Sequence, residues 1–527
     1  MRGRDEVKRQ LKTLNVKKLV SLLFHRTVLV GLLILFQAGV LLVATVSFSA
    51  YFIYFYWFCV ALSLIAVLTV INDQSDPGYK IAWLVPILLF PVFGWLVYLL
   101  CGGGRLSRAM RERMQGMDRA MVEVLERDCK AEQLAPFGRD AVNQARYLEQ
   151  YAHCPAYSNT WTRYFPLGDD VFPVLLEELR RAERYIFIEY FIIEPGVFWD
   201  SIVEILKEKK AAGVDVRVIY DDVGSLFTLP MAYARKFEAE TGIPCCDFNR
   251  FRPVLSIRMN NRDHRKLCVI DGHTAFTGGI NLADEYINAA VKFGHWKDTA
   301  ILLKGEAPWS MAVMFLTMWE YIRGTREDYN QFRPASMPPE AAWGSNFFVQ
   351  PYTDNPLDNE PVGATVYLNL IHKAERYIYI MTPYLIVSSS INVALCTAAK
   401  AGVDVRIITP HIPDKQVVFE MTRAHYEPLL EAGVKIYEYT PGFVHAKCFA
   451  VDDVYGTVGT VNMDYRSMFL HFENGVWLCH DPTVLDIKAD FLDTQAKSQE
   501  ITLERCRRHP WPRQLLRSIL RVFAPLM

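Results

Sequence analysis

His264-Arg265-Lys266-Leu267-Cys268-Val269-Ile270-Asp271 decides the reading of this chain, because it has a twin in His445-Ala446-Lys447-Cys448-Phe449-Ala450-Val451-Asp452. Each copy is trailed by a glycine fourteen residues past its histidine and an asparagine seventeen past it: Gly278 and Asn281, then Gly459 and Asn462. A single His-x-Lys-x4-Asp string of common residues arises by chance. Two copies with the same trailing residues do not. Residues two apart on an extended strand share a face, so each copy sets an imidazole beside an ammonium group. Two imidazoles, two ammonium groups and two amides make a metal-free kit for handling a phosphodiester.

The repeat extends beyond the motif. Ala182-Glu183-Arg184-Tyr185-Ile186 matches Ala374-Glu375-Arg376-Tyr377-Ile378, and Gly213-Val214-Asp215-Val216-Arg217 matches Gly402-Val403-Asp404-Val405-Arg406. The offset falls from 192 at the tyrosines to 189 at the glycines and 181 at the histidines, as small deletions in a diverged second copy produce. In each copy an apolar run (185–193; 377–381) precedes a helical stretch and a second β-branched run (214–220; 403–408). Strand, helix, strand in that order predicts a right-handed crossover and a largely parallel, buried sheet. The fold class expected is α/β, with two fused domains related by a pseudo-twofold axis.

The strings Asn261-Arg262-Asp263-His264-Arg265-Lys266, Gly278-Gly279-Ile280-Asn281, Thr382-Pro383-Tyr384 and Gly459-Thr460-Val461-Asn462-Met463-Asp464-Tyr465-Arg466-Ser467 resemble the phospholipase D superfamily. The longer context, from about Tyr164 to the C-terminus and into the apolar N-terminal region, resembles the bacterial cardiolipin synthases. One departure is His471, where that family's pattern has Asn before Phe-Glu. The resemblance implies two phospholipase D-like α/β domains behind N-terminal transmembrane helices. It also implies transfer of a phosphatidyl group between two phosphatidylglycerol molecules, giving cardiolipin and glycerol. By the same resemblance His264 is the nucleophile that forms a phosphatidyl-histidine and His445 the general acid, an order the near-symmetric sequence leaves reversible. Lys266, Lys447, Asn281 and Asn462 hold phosphoryl oxygens. An acidic residue about thirty positions after each histidine orients it: Asp298, 34 after His264, and Glu473, 28 after His445. Asp271 and Asp452 belong to the catalytic motif, but at strand ends they are expected to hold its loop. A membrane phospholipase D, or a phosphatidyltransferase using another alcohol, is the alternative.

Composition points to the substrate. The 527 residues are 51% hydrophobic, and no charged residue occurs from Thr27 to Ile71, a run of 45. That is twice the ~20 residues one spanning helix needs. A hairpin of helices at about 27–47 and 50–71 is expected, turning near Ser47-Phe48-Ser49. A third apolar stretch, 81–101, carries Pro86 and Pro91 and either spans as a kinked helix or dips into one leaflet. A signal peptide is not expected, because the apolar block is far longer than an h-region and no cleavage site follows it. Basic residues flank the block on both sides (Arg2, Arg4, Lys8 and Arg9 before; Arg105, Arg108 and Arg111 after). They place both ends in the cytoplasm, with an even number of crossings. Two crossings plus one distorted segment are expected, in a bacterial inner membrane, with a cytoplasmic catalytic region.

The domain plan is a basic segment 1–26, a membrane region 27–101, a linker 102–160, domain 1 at 161–345, domain 2 at 346–495 and an amphipathic tail 496–527. In the tail, Arg513, Arg517 and Arg521 recur every four residues among apolar ones. This suits a helix lying on an anionic bilayer or one packed on domain 2. Eleven scattered cysteines without a Cys-x-x-Cys fit a reducing compartment rather than a zinc site or disulfide framework. A net charge of -1 argues against a nucleic-acid binder. No P-loop is present, so no nucleotide cofactor and no metal are expected. The partners expected are phosphatidylglycerol, other membrane phospholipids and the bilayer. Asp221-Asp222 reads as a loop or helix cap rather than a metal pair. His295, Tyr190 and Tyr384 read as packing residues, and Arg466 and Ser467 as phosphate contacts or a buried ion pair.

Overall fold

The computed structural model describes parts of the stretch 35–43 and then residues 52–526, apart from 74, 103–107, 126–129, 251–259, 345 and 359. The described residues form two compact units that divide between Arg105 and Leu106.

In the first unit an uninterrupted helix, Phe52–Asn72, has 21 residues and is about 31 Å long, which matches the ~30 Å hydrocarbon core of a bilayer. Among the described residues Ile53–Asn72 is the one segment long and apolar enough to cross a membrane. The expected helix 27–47 and its turn fall largely outside the described residues. The stretch 81–101 is not one helix: it is split between Pro77–Leu89 and Gly94–Cys101. Pro91 causes the break. It has no N–H and pushes the residue before it out of the α region, and Phe90 accordingly caps the first piece at φ -129°, ψ 69°. The pieces fold back on each other, with the Trp83 and Tyr98 rings 5.4 Å apart edge to face. The Pro91 carbonyl, which the break frees, accepts from Ser63 Oγ of the long helix at 2.8 Å. A carbonyl without a partner there would cost several kcal/mol in lipid.

The second unit holds two large sheets and one two-stranded sheet. The first contains β1 (Thr160–Phe165), β2 (Tyr185–Tyr190), β3 (Asp215–Asp221), β4 (Cys245–Phe248), β5 (Lys266–Ile270), β6 (Thr274–Gly278) and β7 (Ala300–Gly305), in the order β1-β7-β6-β5-β2-β3-β4. The second contains β8 (Phe348–Asp354), β9 (Tyr377–Met381), β10 (Asp404–Pro410), β11 (Lys435–Tyr439), β12 (Cys448–Val451), β13 (Tyr455–Gly459), β14 (His471–Cys479) and β15 (Ser498–Ile501), in the order β8-β14-β13-β12-β9-β10-β11-β15. Adding seven to each label of the first sheet generates the second, apart from the extra edge strand β15. The internal repeat is therefore a repeat of topology.

Only part of each sheet is parallel, which corrects the largely parallel sheet expected. β2-β3-β4 and β9-β10-β11 are parallel, joined by helices such as Val197–Ala211 and Ser389–Lys400. The motif strands β5 and β12 pair antiparallel with both neighbours. For the pairing with β6 and β13 the reason is local. Asp271-Gly272-His273 and Asp452-Asp453-Val454 are too short for a crossover, and Asp271, Asp452 and Asp453 adopt positive φ in these turns.

Helix Pro308–Arg323, buried from Pro308 to Trp319, packs against the first sheet and against β8 of the second. Phe315 stacks on Phe187 of β2 with ring centroids 4.5 Å apart. The β6 and β13 strands, equivalent in the repeat, also meet. The expected linker 102–160 is instead built into this core. Helices Arg108–Leu125 and Arg139–Tyr151 are amphipathic and bury Met117, Met121, Leu125 and Leu148 in the same cluster. The tail is structured too: Ser498–Ile501 closes the edge of the second sheet, and Trp511–Phe523 is a helix.

Each motif aspartate clamps the start of its domain's central strand. Asp271 accepts from the backbone N–H of Glu183, Arg184 and Tyr185 at 2.7–2.8 Å, and Asp452 accepts from Glu375, Arg376 and Tyr377 at 2.6–2.9 Å. Both lie about 20 Å along the strand from the motif histidine. These contacts assign them to the strand-start clamp, a correction to their place in a catalytic set. Asp271→Ala removes the acceptor of three backbone donors, of which that of Tyr185 is buried, and is expected to cost about 1–3 kcal/mol. That appears as a melting point several degrees lower, with activity per folded molecule retained. A loss of turnover at unchanged melting temperature would contradict this role.

Candidate active site

Two short inter-domain strand pairs present the motifs. Arg262–Asp263 runs parallel to the start of β14, pairing Arg262 with His471 and Asp263 with Phe472, and His264 N–H donates to the Phe472 carbonyl at 2.9 Å. In the other half Gly442–Val444 runs parallel to His295–Lys297, and His445 N–H donates to the Lys297 carbonyl at 2.7 Å. The residue after each partner segment is a carboxylate, so the two halves exchange carboxylates. His264 Nδ1 lies 2.9 Å from both oxygens of Glu473, and His445 Nδ1 lies 2.6 Å from Asp298 Oδ2. The expected pairing, each histidine with the acid downstream in its own half, is therefore corrected. The same two carboxylates serve, but crosswise. The ring N–H at Nδ1 donates to the carboxylate, which leaves Nε2 with its lone pair.

The carboxylates are themselves held. The Thr460 hydroxyl donates to Glu473 Oε2, and Asp298 Oδ1 accepts from Thr299 N–H at 2.8 Å. Gly279, the counterpart of Thr460, lies so close to Asp298 that a Cβ there would collide with its carboxylate. The repeat thus uses a hydroxyl in one half and an absent side chain in the other.

Lys266 Nζ donates to the carbonyl of His264 at 2.6 Å, and Lys447 Nζ donates to that of His445. Each lysine curls back to its own histidine, and both are buried. Burial pushes the Lys266 ammonium down to about 7 against the pull of Glu473, and the Lys447 ammonium down to about 8 against the pull of Asp298. Burial, with Lys266 next in size, holds His264 well below the usual imidazole range; Lys447 and His445 add to the effect. Burial and Lys447 push His445 down to about 4, although Asp298 opposes them. Burial raises Glu473 well above the carboxylate range against Lys266. The two motifs therefore act on each other as one electrostatic site. Aromatic rings complete its dry walls: Phe191 lies 4.9 Å from the His264 ring, and Tyr286, Trp296 and Phe443 lie 5.5–5.9 Å from that of His445.

The two asparagines differ. Asn281 is spent on structure, accepting from Ile192 N–H at 3.0 Å and donating to the Tyr286 hydroxyl at 2.7 Å. Asn462 Oδ1 and Arg466 Nε are buried polar atoms with no hydrogen-bond partner. Asp221 accepts from the N–H groups of Val223, Gly224 and Asp263 at 2.8–3.0 Å, which braces the segment before His264. Glu189 pairs with Arg265 at 2.6 Å, and Tyr384 donates to Asp414 at 2.6 Å. His295, whose Nδ1 lies 3.0 Å from the Tyr439 hydroxyl, lines a cavity of about 850 Å³ that includes neither motif histidine. Among the described residues one cluster, His264, His471 and Glu473, presents potential metal-ligand atoms within 4.8 Å of one another. Glu473 is already engaged by His264 and Thr460, and two ammonium groups stand beside it, so the set favours an anion over a cation. Sequence reading missed Thr460, Asn474 (whose Oδ1 accepts from Lys266 N–H at 3.4 Å) and the nearness of His471, whose ring lies 5.6 Å from that of His264. The position of Asn474 beside Glu473, and that of His471 as a departure just before Phe472-Glu473, were the signals in the sequence.

Two α/β domains that each lend one His-x-Lys pair to a shared buried site define a phospholipase D-like enzyme of phosphoryl transfer. The pattern described as "Cardiolipin synthase, PLD-like domain" matches residues 175–291 and 367–494, and that described as "Phospholipase_D-nuclease N-terminal" matches 61–103. The chain is similar to cardiolipin synthase 2 of Bacillus anthracis, with 34% identity over 86% of this chain and 88% of that one. It is 42% identical to an uncharacterized protein of Streptococcus mutans over 88% of this chain and 99% of the other. The crystal structure of a Haemophilus influenzae phosphatidylserine synthase shares the fold, with a TM-score of 0.56 at 14% identity, over 73% of this chain and 99% of that one. The chain belongs to the membrane-associated cardiolipin synthase family of phospholipase D-like proteins, which transfer phosphate-containing groups.

Two outcomes follow from this geometry. A lysine whose pKa is lowered to about 7 or 8 is charged below that pH and neutral above it. kcat/KM, which reports the free enzyme, is therefore expected to fall as pH rises from 7 to 9. The slope approaches about tenfold per unit where one lysine titrates. kcat falls less, because a bound phosphate anion restores the ammonium charge; a flat kcat/KM across the window would refute this. Gly279→Ala is expected to push Asp298 off His445 and lower kcat by about tenfold or more, with a smaller change in melting temperature than Asp271→Ala.

Proposed function

We propose that the protein joins two phosphatidylglycerol molecules into cardiolipin and glycerol through a phosphatidyl-histidine. The observation that carries this reading is the crossed pair of imidazoles. Each is locked at Nδ1 by the other half's carboxylate, and both lie within the field of two buried ammonium groups. His264 Nε2, unprotonated because burial and the lysines disfavour the imidazolium, attacks phosphorus. The N–P bond forms as the P–O bond to glycerol breaks, and His445 supplies a proton to the departing alkoxide. His445 is neutral in the empty site. The incoming phosphodiester charge raises its proton affinity, so binding the substrate arms the acid. Lys266, Lys447 and Arg466 neutralise the non-bridging oxygens. In the second half His445 takes the proton from the hydroxyl of a second phosphatidylglycerol, whose oxygen attacks phosphorus and releases His264. The aromatic walls disfavour water as the competing acceptor. One phosphodiester replaces another, so the step needs no nucleotide.

The similarity to cardiolipin synthase 2 of Bacillus anthracis and the apolar helix Phe52–Asn72 support a lipid substrate. The basic residues at both ends of the apolar block support two crossings and a cytoplasmic catalytic region in a bacterial inner membrane. The test is to follow the products of labelled phosphatidylglycerol with the purified full-length protein in mixed micelles. Cardiolipin with free glycerol is expected, whereas phosphatidic acid alone would overturn the reading in favour of a hydrolase. Serine or ethanolamine added as acceptor distinguishes the related transferases. His264→Ala and His445→Ala are each expected to lower turnover by about 10³-fold or more, and activity retained in either would end the two-histidine mechanism. EDTA is expected to leave the rate unchanged.

A further inference from the structure

The C-terminal helix Trp511–Phe523 is attached to the catalytic unit by its basic side and leaves its apolar side uncovered. Arg517 Nε lies 2.9 Å from Glu420 Oε2, and Arg513 reaches the same carboxylate. Leu520 and Ala524, on that side, pack with Ile386, Met421 and Tyr465. Trp511, Leu515, Leu516, Ile519 and Val522 form the outer face; Trp511 is 74% exposed and Leu515 52%. Apolar side chains at positions i, i+4, i+5, i+8 and i+11 make one stripe. A stripe of this size left open on a catalytic unit marks a surface that something apolar covers.

We propose that this face docks on the surface of an anionic phospholipid bilayer and holds the helix in the interfacial plane. Charge favours one occupant: the stretch 505–526 has six arginines and no acidic residue. Although Arg507, Arg508, Arg513 and Arg517 pair with glutamates of the protein, Arg505 and Arg521 have no such carboxylate partner among the described residues, which suits an anionic lipid surface. Trp511 at one end of the stripe is the side chain that settles at the headgroup level. The arginine stripe therefore has a different role from the one its spacing suggests. Arg513 and Arg517 fasten the helix to the protein, and the apolar residues face the lipid.

The helix is also connected to the chemistry. The turn Ala524–Leu526 contacts helix Tyr465–Phe469, which carries Arg466. Asp464 caps that helix through Ser467 N–H at 2.9 Å, two residues after Asn462. Docking would thus set the helix that carries Arg466, beside Asn462, toward the membrane surface. The inference rests on the reading above that the substrates are bilayer lipids.

The test uses the full chain in nanodiscs containing phosphatidylglycerol, with Leu515→p-benzoylphenylalanine as a photoprobe and mass spectrometry of the products. A lipid adduct at position 515 is expected. An adduct to a second copy or to another part of the chain, or no adduct at all, would overturn the proposal. As an independent arm, the double variant Leu515→Glu with Ile519→Glu is expected to lose at least tenfold of the activity in nanodiscs at an unchanged melting temperature. Undiminished activity there would also overturn docking. A lipid adduct without any cardiolipin formation would leave docking intact and count against the proposed reaction instead.

Discussion

The exchange of two carboxylates between the halves is the constraint on which the rest of the catalytic unit depends. Neither half can orient its own histidine, because the acid that reaches His264 is Glu473 and the one that reaches His445 is Asp298. The exchange follows from two backbone pairings, Arg262–Asp263 with His471–Phe472 and Gly442–Val444 with His295–Lys297. A buried hydrogen bond contributes about 1 kcal/mol, so each crossed pair is both a domain contact and a tautomer lock. Separating the halves would disarm both imidazoles at once. The shared helix Pro308–Arg323 and the meeting of β6 with β13 protect that arrangement with buried apolar area.

The site concentrates buried positive charge. Two ammonium groups and two imidazoles are buried together, and their pKa values all shift toward the neutral forms. Each protein partner found for the lysines' Nζ is a carbonyl of the histidine two residues back, a weaker counter-charge than a carboxylate. Such a site gains most from an anion that touches all four groups. A phosphodiester bound between them converts that burial penalty into preference for the substrate and for the more highly charged transition state.

Much of this was legible in the chain because the repeat is exact where chemistry demands it. The His-x-Lys spacing, the trailing glycines and asparagines and the parallel Gly-Val-Asp-Val-Arg strings located both domains, and the first sheet's order recurs in the second. Asp298 and Glu473 were recognisable as the orienting acids from their distance in sequence. That same distance misassigned their partners, since a count along one chain segment cannot register a strand that crosses to the other half. The sheet's mixed direction was missed for a related reason: helical runs are visible in a sequence, whereas a three-residue turn after a motif strand looks like any other loop. The supposed linker failed because its helices, polar on average, bury only a narrow stripe containing Met117, Met121 and Leu125.

The sequence by itself determined the reaction class, since imidazole, ammonium and amide groups at repeated spacings have few uses besides phosphoryl transfer. It also determined the lipid setting, since 45 uncharged residues have no other solvent than a bilayer core. Only the tertiary structure decided which acid serves which histidine, which strand start Asp271 and Asp452 each clamp, and which face of the last helix is left open. All three depend on contacts between residues from 75 to more than 200 positions apart or on the side an element turns to its neighbour, and periodicity along a chain carries neither.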